Sequence, residues 1–70
     1  MSLIVEIASV PDRDEVVAEI WDGDNMVAEI QRGVGRVLGI QIYANPSNSP
    51  WAFDLQEWQQ ALAEAQQRLK

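Results

Sequence analysis

Four short apolar runs interrupted by polar positions are followed by one run with helical spacing. The first covers residues 3–8 and ends before Val10-Pro11-Asp12, where proline removes a ladder donor and Asp12-Arg13-Asp14 solvates a turn. The second, over 15–21, closes on Asp22-Gly23-Asp24-Asn25. An Asp-Gly pair between alternating segments is a strong short-range hairpin signal. The third, over 26–31, runs into Gly33-Val34-Gly35, a turn whose glycines tolerate positive φ. The fourth, over 36–43, gives way to Asn, Ser and Pro in residues 44–53, a loop by composition.

Period-two alternation sorts these runs into two faces. Val16, Ala18 and Ile20 point one way, and Met26, Ala28 and Ile30 join them. Leu38, Ile40 and Ile42 make a third row, and Val5 with Ile7 a fourth. The opposite face then carries Glu6, Val17, Glu19, Trp21, Val27, Glu29, Val37, Gln41 and Tyr43. The tetrapeptide Val-Ala-Glu-Ile occurs at 17–20 and again at 27–30. Four shared residues are too few for a duplicated module and describe neighbouring strands with one in/out pattern.

The last run predicts a helix over about 55–69. Asp54 is an N-cap, and Glu57 three positions on completes the capping-box spacing. Both acids sit at the positive end of the helix dipole, with Arg68 and Lys70 at the negative end. Leu55, Trp58, Leu62, Ala65 and Leu69 recur at intervals of three and four, which is one apolar stripe. The stripe is expected to lie across the sheet face made by the isoleucine and leucine rows. The predicted fold is thus a single α+β domain over 1–70, a four-stranded antiparallel β-meander with one C-terminal amphipathic helix on one face.

Composition narrows the chemistry. The chain has 70 residues, no cysteine and no histidine, with five basic against eleven acidic side chains. Without cysteine there is no disulfide framework, zinc-thiolate site or nucleophilic thiol. Without histidine the commonest general base and metal ligand are missing. A net charge of −6 opposes nucleic-acid phosphate and anionic lipid and favours basic partners. No signal peptide or membrane span is legible, so a cytoplasmic location is expected.

Each motif that hints at a reaction falls short. Gly33-Val34-Gly35-Arg36-Val37-Leu38-Gly39 has its third glycine one place late for a dinucleotide fingerprint, and a strand follows it where a helix is needed. The acids of 12–15 and 22–24 lack the spaced ligands and terminal glutamate of a calcium loop. Glu6, Glu19 and Glu29 share a face, but a domain this small offers little volume for a substrate cleft. The chain therefore reads as non-enzymatic, with no catalytic residue, cofactor or metal implied.

The aromatics point elsewhere. Trp58 belongs to the helix stripe, and one of Trp51 and Phe53 is expected to staple the loop to the helix. Trp21 and Tyr43 fall on the face away from the helix. With Val17, Val27 and Val37 they form an apolar and aromatic patch rimmed by Glu6, Glu19 and Glu29, a candidate protein-binding surface. A register slip or bulge reverses such a face assignment.

From Ile40 onward the chain reads Ile40-Gln41-Ile42-Tyr43, Pro46, Pro50-Trp51-Ala52-Phe53-Asp54-Leu55, Ala61-Leu62 and Ala65 through Leu69. This resembles short bacterial proteins with an "IxY…P…WxFDL…ALxxA" pattern, which look like the small immunity proteins of bacterial toxin systems. The resemblance covers a little under half the chain and implies strands with a C-terminal helix, and no catalytic residues. Two functions are expected from these readings. The first is a protein-binding, immunity-type inhibitor of a basic partner protein, acting through Trp21, Tyr43, Glu19, Glu29, Val17 and Val27. The alternative is a homodimer that buries the same face against itself.

Overall fold

A computed structural model of the chain describes residues 3–9, 15–35 and 37–69. The expected turn at 10–14, position 36 at the start of the fourth run and the terminal lysine lie outside the described residues. Strands β1 (Leu3–Ser9), β2 (Val16–Asp22), β3 (Asn25–Arg32) and β4 (Leu38–Ile42) form one sheet in that order, and helix α1 (Leu55–Arg68) follows. Every neighbouring pair is antiparallel. The architecture is the β-β-β-β-α meander that the alternation and the turn residues predict.

Turn chemistry sets the register. Asp22 pairs with Asn25, and between them Gly23 takes φ of 61° at the first central position, the pattern of a type II′ loop that matches strand twist. The next turn uses Gly35 at φ 74° and is tied by the Gly33 N–H donating to the Val37 carbonyl at 2.7 Å. The resulting pairs align the apolar rows: Val5 opposite Ile20, Ile20 opposite Ala28, and Ala28 opposite Ile42. Ile7, Ala18, Ile30 and Ile40 line up in the same way.

One irregularity corrects the face assignment. Ile20 pairs with Ala28 but Trp21 pairs with Met26, so Val27 is the extra residue of a β-bulge. The bulge turns Val27 into the core cluster, where it is 1% exposed. Met26, expected on the helix side, lies instead opposite Trp21. Alternation carries this row as if the strand were unbroken, and the extra residue swaps the two.

The helix begins as its cap predicts. The Asp54 carboxylate accepts from the Glu57 N–H at 3.0 Å. Phe53, just before the cap, stacks on Trp58 at 5.7 Å between ring centroids, which is the hydrophobic staple of an N′ residue on the N4 position. Trp51 stacks on Phe53 in turn at 5.6 Å, and its indole N–H donates to the Tyr43 carbonyl at 2.7 Å. The loop is therefore tied to β4's end and to the helix start together.

Where α1 lies is the second correction. It packs on β1 and β2, with Ala61 and Ala65 set against a floor that includes Ala18 and Ala28. Among the buried core residues four are alanines, which let the helix axis come close to the sheet. At the far end Arg68 donates to the Val5 carbonyl at 2.7 Å and to the Glu64 carboxylate at 3.3 Å, fastening the last turn to β1. A helix is about 10–12 Å across, and four strands at about 4.8 Å spacing are wider than that. One helix thus covers only part of this sheet. The expectation that it covers all the leucine and isoleucine rows fails at β4: Leu38, Ile40 and Ile42 are 38%, 48% and 59% exposed.

Candidate functional site

The face of the sheet away from α1 carries a row of carboxylates in register. Glu6 lies opposite Glu19 and Glu19 opposite Glu29, so the carboxylates cross three strands, and the row ends on β4 at the neutral Gln41. Like charges placed directly opposite one another on a sheet repel. Among the described residues neither arginine relieves them. Arg68 is engaged at β1's carbonyl, and alternation places Arg32, opposite Leu38, on the helix side.

Two aromatics flank the row. Trp21 is half-buried between Ile4 on β1 and Met26 on β3, and its indole N–H donates to the Glu19 carboxylate at 3.1 Å. That bond fixes one carboxylate oxygen beside a large apolar surface. Tyr43 extends β4's pairing, its N–H donating to the Val27 carbonyl at 2.9 Å. The Tyr43 hydroxyl reaches the Gln41 side chain at 3.5 Å. Its phenol is held above the ordinary tyrosine pKa, first by lost hydration and then by the negative charge of Glu29, with Glu19 adding to it. The phenol thus reports the field of the carboxylate row.

Of the six residues expected at this surface, the fold brings four together: Glu19, Trp21, Glu29 and Tyr43. Val17 and Val27 are not available to a partner, being 5% and 1% exposed. Val17 is buried opposite Ala8, and Val27 is turned into the core by the bulge. The expected apolar and aromatic patch is accordingly narrower: two aromatics, Ile4 and Met26 around an acidic stripe. Ile4, 51% exposed, and Met26 join only through the register of their strands with Trp21. Runs of single strands carry no information on which residues become cross-strand neighbours.

The other face holds a groove of about 290 Å³ between β4 and α1, lined by Ile30, Leu38, Gly39, Ile40, Leu62 and Gln66. No ionisable side chain lines it, so it offers shape and apolar contact without acid or base. Among the described residues no three acidic side chains converge to hold a metal ion, and no helix is long and apolar enough to cross a membrane. No protein-family model, no curated protein and no solved structure matches this chain.

Proposed function

We propose that the chain is a non-enzymatic protein-binding module whose working surface is the sheet face away from α1. The carrying observation is the in-register row Glu6, Glu19 and Glu29 beside Trp21 and Tyr43, on the sheet face opposite α1. Carboxylates held opposite one another gain by meeting cations, and indole and phenol rings supply the kind of anchors that carry interface energy. The partner is a basic protein surface. Charge steers the encounter, and Trp21 and Tyr43 provide apolar contact once the surfaces meet. An immunity-type inhibitor, which blocks its target by covering it, is a role that such a face suits.

Homodimerisation through this same face is disfavoured. A two-fold axis would set one copy's carboxylate row against the other's, with no described cation on the face to alternate with them.

The test is affinity capture from source-cell lysate at low salt and at about 0.5 M salt, followed by calorimetry with the purified partner. Capture should be salt-sensitive. Trp21→Ala and Glu29→Arg should each weaken binding by tenfold or more while far-UV circular dichroism stays unchanged. Full affinity in both variants would place the binding surface elsewhere.

A further inference from the structure

The groove beside β4 and the ridge of β4 itself make a self-complementary pair, and we propose that this chain forms a two-fold dimer through them. The ridge is Leu38, Ile40 and Ile42, exposed on the helix side of the sheet. Directly beside it runs the groove of about 290 Å³ whose far wall is Leu62 and Gln66 of α1. A two-fold interface needs one patch that fits a copy of itself. Here each copy supplies one ridge and one groove.

The layer spacing allows both ridges to seat at once. Stacked sheets lie about 10 Å apart, and a helix is about 10–12 Å across. The second copy's β3 and β4 therefore fit beside the first copy's helix at the same height above the sheet. Reciprocally, the second copy's helix lies alongside the first copy's β4 edge. Residues 38–42 of that edge contain no charge and no proline, the usual guards of an open strand, and Trp51 meets the chain only beyond them, at the Tyr43 carbonyl. The β1 edge differs, since Arg68 already bonds a β1 carbonyl there.

Charge leaves this patch open to a second copy where the opposite face is not. The molecule carries −6, and its opposite sheet face concentrates carboxylates. The residues lining the groove are neutral, as is Ile42 beyond them, and the charge that borders the ridge is a cation, Arg32 opposite Leu38. This is a place where two acidic molecules touch without setting carboxylates together. The available area sets the strength. Half of a face 33 Å by 24 Å amounts to roughly 400 Å² in projection. Pairs at the small end of interface size are weak, so dissociation in the micromolar range is expected. The dimer leaves both carboxylate faces on its two outer sides, free for the partner proposed above. It does not depend on that partner.

Sedimentation equilibrium from about 1 to 300 µM is the test, on the full chain and three variants. Wild type should shift from monomer to dimer with concentration. Ile40→Glu places a carboxylate in the ridge and should weaken the dimer by at least about a hundredfold while circular dichroism stays native. Ile40 is 48% exposed in the single chain, so the variant keeps its fold. Val34→Glu, at a turn residue 97% exposed, adds the same charge elsewhere and should dimerise as wild type does. Glu29→Arg should also leave the dimer intact, which separates this surface from the acidic one. A wild type that stays monomeric throughout, or an Ile40→Glu variant that dimerises normally, overturns the proposal.

Discussion

Trp21 and Tyr43 hold the same kind of position, an aromatic next to a glutamate on the sheet face away from α1, yet they report different physics. Trp21 uses its N–H to orient Glu19, whereas Tyr43 feels Glu29 and Glu19 as charges that oppose ionisation. Glu29→Gln should therefore lower the Tyr43 pKa towards 10.0 without restoring it, because the first cause is lost hydration. Ultraviolet titration of the phenolate measures this directly. The sign of the linked stability follows. Below pH 10.0 the folded and unfolded chains both hold the phenol proton, and the stabilisation is fully present. As pH rises the unfolded chain ionises first, and the contribution is lost as pH passes through the raised folded value. Compared with Tyr43→Phe, the wild type should lose stability across that window, as read by denaturant midpoints at stepped pH. Glu29→Gln should also stabilise the fold by about 0.2–1 kcal/mol by breaking the glutamate row.

Among the elements, α1 is the one whose limits are most fully written in its own residues. Asp54, Glu57 and Phe53 act within one turn of the helix start, so spacing along the chain is enough to place them. Asp54→Ala removes the acceptor for the Glu57 N–H and should cost about 1 kcal/mol, with loss of helical signal confined to the first turn. Amide exchange at Glu57 is the local readout. An equal loss of protection along all of α1 would mean that the cap does not act locally. The strands are less self-contained. Residues 26–31 alternate as a strand should, and the Asp-Gly signal does close the hairpin. The bulge at Val27 lies in the pairing of β3 with β2, while β3 pairs with β4 without a shift. No residue within 26–31 announces it, and so Val27 and Met26 exchange faces. A wrong assignment of one residue was enough to misplace one anchor of the expected binding surface.

At the scale of the whole molecule, the decisive feature is a core built largely of alanines. Ala61 and Ala65 of α1 are buried over a sheet floor containing Ala18 and Ala28, both fully buried. Small side chains on both layers bring the helix close to β1 and β2, and the long side chains of β4 offer no such seat. Ala65→Leu inserts volume where nothing can yield and should destabilise by about 1–3 kcal/mol. Thermal unfolding followed by circular dichroism would show it, and an unchanged melting temperature would mean that the helix rests on β4 instead.

The elements, their order and the antiparallel meander follow from local causes: turn residues, period-two alternation, a cap and a 3.6-residue stripe. Each of these acts within a few positions of the chain, which is why they are legible in the amino acids alone. The acidic face was legible for the same reason, since Glu6, Glu19 and Glu29 alternate out of phase with the buried rows. Three features needed the folded chain. The carboxylates become a row only when hydrogen-bond register lines them up. Val27 joins the core cluster at a bulge in the pairing of two strands. The ridge of Leu38, Ile40 and Ile42 is exposed because one helix is narrower than four strands and settles where alanines admit it. Alternation assigns a residue to a face of its strand, but whether that face is covered depends on the width and placement of a layer many residues away.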